Sequence, residues 1–264
     1  IAPPPEAEPL AAPEMPAQSM SNELRFPRQG QRIAEADGMP MVYVEAGEFM
    51  MGSEEMELQE KPAHSVTLDG FWIDQYEVPV GLFQKFIDAN GAVDAEGHAY
   101  FNEREWRENS LAADLPAVYV TWYGAQAYCQ WVGRRLPTEA EWEKAARGTD
   151  GRTFPWGEGF DCTRANYRHC GNDVKPVGSH PQGASPYGAE DMAGNVWEWV
   201  ADHYGPYSAE AAVNPTGPKR GEYRSIRGGC WADDSELSLR SAYRGSNGPE
   251  DKSDWLGFRC AASE

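Results

Sequence analysis

Five cysteines, at positions 129, 162, 170, 230 and 260, are the most reactive side chains in this 264-residue sequence. Cys162 and Cys170 flank the segment TRANYRH, close enough in sequence that a local disulfide is expected. Cys230 lies in SIRGGCWADDSELSLRSAYRG, residues 225–245, directly after a double glycine. Three readings of it stand side by side: a small buried residue, a reactive thiol at the edge of a groove and so a candidate catalytic residue, or a partner in an intermolecular bond. Just beyond it, Asp233, Asp234 and Glu236 crowd three carboxylates together. A shared site would raise one of their pKa values and suit it to acid–base work, whereas a solvated acidic loop is the simpler reading. His64, His98, His169, His180 and His203 show neither paired zinc spacing nor an H-x-x-x-H cluster. A G-x-S-x-G elbow, a phosphate loop and a dinucleotide fingerprint are all lacking from the sequence.

The elements that must position these groups are legible from periodicity. MPMVYVEAGEFMMGS (39–53) and HSVTLDGFWIDQYEV (64–78) alternate short apolar runs with Gly and turn residues, as in an antiparallel sheet. In VPVGLFQKFIDANG, Val80, Phe83, Phe86 and Ile87 share one helical face and Gly91 closes it. WYGAQAYCQWVG (122–133) predicts a second helix, with Ala125, Tyr128, Cys129 and Val132 on one stripe. A third begins in LPTEAEWEKAARG, where Thr138 and Glu141 have the spacing of a capping box and Gly148 ends the run. Beyond residue 150 only aromatic fragments between glycine turns remain, which predicts a loop-rich half with short strands.

Taken in order, MVYVEAGEFMMGS, FWIDQYEV, PAVYVTWYGAQAYCQWVGRRLPTEAEWEKAARG, FPWG, YGAEDMAGNVWEWVADHY, RSIRGGCW and GFRC resemble the formylglycine-generating-enzyme family, the sulfatase-modifying-factor domain. The resemblance implies an α+β fold, a variant of the C-type lectin fold that is loop-rich with short antiparallel strands and a few helices, over residues 39–264. Residues 1–38 are then a Pro/Ala-rich arm or linker. Oxidase members of that family hold copper with two cysteines after the double glycine, where soft thiolates suit Cu(I). Counting forward from Cys230 the matching positions are Asp233 and Ser238, and counting back from GFRC moves the second to Glu236. None is a cysteine, so copper-dependent formylglycine generation is not expected. The resemblance also pairs Cys129 with Cys260. It places a structural calcium on Asp191, Glu198 and the carbonyls of Gly194 and Val196, and a second on Asn166, the carbonyl of Tyr167 and Asp173; oxygen donors on a tight turn suit this hard ion. Against this stands the reading that Glu198 and Asn195 satisfy backbone groups in a polar turn. Arg240 and Arg244 repeat an LR-x-x-x-R rhythm and are expected to hold loops through backbone carbonyls.

A formal charge of −19, from 42 acidic against 23 basic residues, argues against nucleic acid and anionic lipid as partners. No apolar run approaches the roughly 20 residues of a membrane-spanning helix. The sequence opens at Ile1 without a signal-peptide pattern, which suggests processing or truncation; membrane contact would then come through a partner or a lost upstream anchor. Two disulfides favour a periplasmic or extracellular location. Three functions follow. One is a non-catalytic accessory subunit bound through its Pro-rich arm, residues 1–20, to a larger complex. Another is a periplasmic enzyme of the same fold with other chemistry, of oxidase or siderophore-maturation type. The third is a lectin-like module displaying Trp231 and Trp255.

Overall fold

The computed structural model describes residues 31–110 and 112–264; the proposed arm over residues 1–20 lies outside them. Three small sheets surround the core. The first joins β1 (Gln31–Ile33), β2 (Pro40–Val44), β5 (Phe71–Asp74) and β11 (Ala261–Ser263), antiparallel throughout and in that spatial order. The second joins β3 (Gly47–Met51), β4 (His64–Leu68) and β7 (Ala212–Val213). The third orders β10 (Leu256–Phe258), β6 (Trp197–His203), β8 (Arg224–Arg227) and β9 (Arg244–Asn247). Two pairings depart from the expected all-antiparallel pattern: β4 with β7 and β10 with β6 run parallel. Both join strands far apart in sequence, where the long connection needed for a parallel pair is available.

Four helices lie between strands among the described residues: α1 (Val80–Asn90), α2 (Glu103–Asn109), α3 (Trp122–Trp131) and α4 (Glu139–Arg147). Val80, Phe83 and Phe86 are buried on α1, which closes at Gly91 with φ +81°. α4 opens with the reciprocal Thr138–Glu141 capping box and closes at Gly148. α2 is the helix that periodicity misses. It is short, buries only Trp106, and is signalled instead by Asn102, whose side chain caps the Glu105 N–H.

Residues 31–38 pack with the domain rather than with the arm in which a domain start at residue 39 leaves them. β1 pairs with β2, and Asp37 is buried against Arg134 and accepts a hydrogen bond from the Tyr128 hydroxyl at 2.7 Å. Such a contact is invisible to composition because it joins positions 37 and 134.

α4 packs against β3, β6 and β8 although its sequence, EAEWEKAAR, is polar. Each buried charge therefore carries a partner, as burial requires. Glu143 meets Arg227 at 2.6 Å and Arg147 at 2.8 Å, and the Lys144 ammonium donates to the carbonyls of Glu45 and Gly47 at 2.7 and 2.9 Å. Cys129 is bonded to Cys260, tying α3 to the segment between β10 and β11. Cys162 is bonded to Cys170 within the loop before β6.

Candidate functional site

The loop after β8 is shaped by two glycines with positive φ, Gly228 (+100°) and Gly229 (+74°). A Cβ on Gly228 would lie 3.2 Å from the Trp142 ring. On Gly229 it would lie 2.9 Å from the Ser238 carbonyl oxygen and 3.1 Å from Asp233 Oδ2. Glycine therefore allows residues 230–239 to fold back onto their own start. Asp233 Oδ2 accepts from the Cys230 N–H at 2.9 Å, and the Ser238 hydroxyl donates to the Ser235 carbonyl at 2.8 Å. Ser235 in turn caps the short 3₁₀ turn Glu236–Leu239.

Cys230 is 2% exposed and is the free cysteine among the described residues. Burial, reinforced by the Asp233 carboxylate, pushes its thiol up to about 12. At neutral pH, with no metal bound, it is a packed, protonated thiol. The neighbouring acids do not converge on a reacting centre. Asp233 is held by the turn, Asp234 pairs with Arg168 at 2.8 Å, and Glu236 is exposed. The same loop is fastened to Trp231, whose indole N–H donates to the Asp254 carbonyl at 3.3 Å, while Trp255 packs against the main core. Arg240 and Arg244 do hold loops, but chiefly through carboxylates. Arg240 chelates Glu60 at 2.9 and 2.6 Å, and Arg244 chelates Glu139 at 2.8 and 2.6 Å while also reaching the Gly205 carbonyl. A planar guanidinium prefers such two-point contact to a single carbonyl.

A second constellation lies on the turn before β6. Asp191, Gly194 and Asn195 all have left-handed backbone there, with φ between +57° and +83°. Glu198 at the start of β6 accepts from Arg259 at 2.8 and 2.7 Å and from the Trp142 indole at 2.9 Å. Asp191 Oδ2 accepts the Gly178 N–H at 2.6 Å. Into the same cluster reaches Glu77, a residue that sequence reasoning passed over. It is fully buried and accepts from the Asn195 side chain at 2.9 Å and the Val196 N–H at 3.3 Å. Its signal is an acid inside the apolar run FWIDQYEV. Burial, then repulsion from Asp191 and Glu198, pushes Glu77 well above the usual carboxylate range, and burial brings Asp191 to about 6. Three buried carboxylates thus face one guanidinium.

Asn166 joins this cluster. Its backbone carbonyl accepts from the Asn195 N–H at 2.8 Å and its amide donates to Asn195 Oδ1 at 3.2 Å. Asn166 Oδ1 is buried without a hydrogen-bond partner. The other two residues of the second expected calcium set are engaged locally. The Tyr167 carbonyl accepts from Cys170 and Gly171, and Asp173 Oδ1 accepts the Val174 N–H at 2.8 Å. The unsatisfied negative charge and the orphaned amide oxygen fit a hard cation; the Arg259 chelate on Glu198 competes with it. Separately, Asp94, Glu96 and His98 bring ligand atoms within 4.8 Å of one another near the surface. His98 there pairs with Asp94 at 2.7 Å and stacks on Tyr123.

A family model described as "Sulfatase-modifying factor enzyme 1-like domain" matches residues 28–264. The "Serine/threonine-protein kinase pkn1" of Chlamydia caviae is 41% identical over 239 residues, 84% of this chain. The chain spans only 37% of that relative's length. The "Formylglycine-generating enzyme" of Mus musculus is 34% identical over 277 residues, covering 84% of this chain and 74% of the mouse protein. The "Inactive C-alpha-formylglycine-generating enzyme 2" of Mus musculus is 33% identical over 284 residues, covering 88% of each. Among solved structures, PvdO from Pseudomonas aeruginosa superposes with a TM-score of 0.71 at 29% identity, covering 89% of this chain and 98% of PvdO.

Proposed function

The chain belongs to the sulfatase-modifying factor enzyme 1-like family and has its α+β, C-type-lectin-related fold, and from that premise we propose that it is a non-catalytic, partner-binding member working outside the cytoplasm. The observation that carries this reading is the loop after Gly229. By the family's spacing its two copper positions fall at Asp233, tied to the Cys230 N–H, and at Ser238, tied to the Ser235 carbonyl, or, counted back from GFRC, at the exposed Glu236. The nearby thiol is buried in the core. Oxygen donors already engaged in a turn are a poor match for Cu(I), which selects thiolate. The name "inactive" of one relative covering 88% of this chain points the same way. Two disulfides suit an oxidising compartment, and the Pro-rich segment over residues 1–20 has the composition of a tether.

The test has two arms. Titrated with Cu(I) and a cysteine-containing peptide under oxygen, the native chain should show no thiolate-to-metal absorption and no aldehyde product. Asp233→Cys combined with Ser238→Cys should gain the absorption. Peptide turnover by the native chain would end the non-catalytic reading. In the second arm, partners co-purified without crosslinking should be lost when residues 1–20 are deleted; an unchanged assembly would remove the arm from the proposal.

Calcium is the structural ion within this reading, held by Asp191, Glu198 and the carbonyls of Gly194 and Val196. Asn166, the Tyr167 carbonyl and Asp173 form the second set. The buried excess of carboxylate beside Arg259 supports the first, and the orphaned Asn166 Oδ1 supports the second. An ion present at about a hundred times its Kd adds roughly 2.7 kcal/mol, or about 5–10 °C in a domain of this size. Calorimetry with calcium and then with excess chelator should show a drop of that order. Identical midpoints would exclude the ion.

A further inference from the structure

Away from the loop after Gly229, between β4, β7 and the segment that follows β6, lies a recess of about 300 Å³. Its walls include Met51, Pro206, Pro215 and Pro218, and its polar groups include Asp202, His64, Ser208 and Thr216. Asp202 is 4% exposed. Its Oδ2 accepts the Glu139 N–H at 2.9 Å, while no hydrogen bond to its Oδ1 is made among the described residues. Gly217 backs onto that oxygen so closely that a Cβ there would lie 2.8 Å from it.

The buried charges beside Asp202 are matched, while Glu210 stands exposed on the rim. Arg244, also on the wall, uses Nε and Nη2 on Glu139 and Nη1 on the Gly205 and Gln59 carbonyls. Its guanidinium lies 3.8 Å over the Tyr207 ring. The Tyr207 hydroxyl points at Glu139 at 3.4 Å. His64 stands against the other side of this group, its ring centroid 4.9 Å from that of Tyr207. His64 Nδ1 lies 3.1 Å from the Pro62 carbonyl, an acceptor, so Nδ1 carries the proton and Nε2 is the acceptor of the ring. Asp202 Oδ1 and His64 Nε2 are pure acceptors, the Ser208 and Thr216 hydroxyls can accept as well as donate, and the one cation lining the recess, Arg244, is already committed. A group that donates several hydrogen bonds and carries positive charge complements these acceptors, and walls of proline and methionine suit an aliphatic chain behind it.

We infer that this recess binds an aliphatic primary ammonium group, with Asp202 Oδ1 as its anionic anchor and His64 Nε2 as a second acceptor. Burial and the charge of Glu139 push the free Asp202 carboxyl up to about 8, and a bound ammonium would return it to the carboxylate form. The site is independent of the copper-position loop and of the carboxylate cluster around Arg259.

The test is titration of the 264-residue protein with 1,4-diaminobutane, and in parallel with 1,4-butanediol, followed by calorimetry and by NMR of the Met51 methyl and the His64 ring. The diamine should bind at least tenfold more tightly than the diol and shift both signals. Asp202→Asn keeps the acceptor for the Glu139 N–H and should weaken the diamine at least tenfold. Ser208→Trp, placed on the exposed rim, should also block it without touching the anchor. Equal binding of diamine and diol, undiminished binding by either variant, or no shift at millimolar diamine would overturn the assignment.

Discussion

Replacing Arg259 by Leu should lower the thermal midpoint by about 10 °C, more than any single surface change in this protein. Arg259 is fully buried and is the cation that chelates Glu198 while Glu77 and Asp191 stand close by. Its remaining N–H groups donate to the carbonyls of Asp74, Gln75 and Glu190 at 2.8–3.1 Å. Removing it leaves three buried carboxylates without their guanidinium and takes one donor from each of three carbonyls, of which that of Gln75 keeps the Glu190 N–H. Breaking one half of a buried pair costs about 3–5 kcal/mol, and each kcal/mol moves the midpoint of a domain this size by about 2–4 °C. The matched replacement, Arg259→Met with Glu198→Gln, should recover part of the loss, since the uncompensated charge on Glu198 goes with it. Differential scanning calorimetry of both variants decides the matter. An Arg259→Leu midpoint within 2 or 3 °C of native, on the scale of a surface contact, would mean that the cluster is neutralised by other means.

The second large effect is in the disulfides, and it should be unequal. Cys129 and Cys260 are 131 positions apart, Cys162 and Cys170 only 8. If the bridges act by restricting the unfolded chain, the long one contributes about 5 kcal/mol and the short one about 2.5. Cys129→Ala with Cys260→Ala should therefore cost about twice as much as Cys162→Ala with Cys170→Ala in urea titrations of the two purified proteins. The long bridge also lies inside the main core, where both sulfurs are buried, so lost packing adds to the difference. Equal losses would indicate that native-state contacts around each bridge, rather than chain entropy, set its contribution.

How far the sequence revealed all this depended on the range of the interaction. The helices α1, α3 and α4 were readable because their signals are local: an apolar stripe, a capping box and a closing glycine within a few residues. α2 was hidden because seven residues around one buried Trp106 give no period to detect. The partners of Arg240 and Arg244 were misjudged for a related reason. Glu60 and Glu139 lie 180 and 105 positions away, and no spacing rule connects them. At the candidate site, the loss of both thiols near Asp233 and Ser238 could be read directly from residue types. Glu77 could not, because its role depends on three turns meeting at Asn195. Asp202 is plain in DHY yet acquires its character only from the fold that isolates one of its oxygens.

Residues 256–263 carry a burden out of proportion to their number. β10 completes one sheet against β6 and β11 completes another against β5, with Arg259 and Cys260 strung between them. A ribosome delivering this polypeptide from its amino terminus must release that stretch before either sheet gains its last strand. One edge of each of the two sheets is therefore finished last, after nearly the whole domain has emerged.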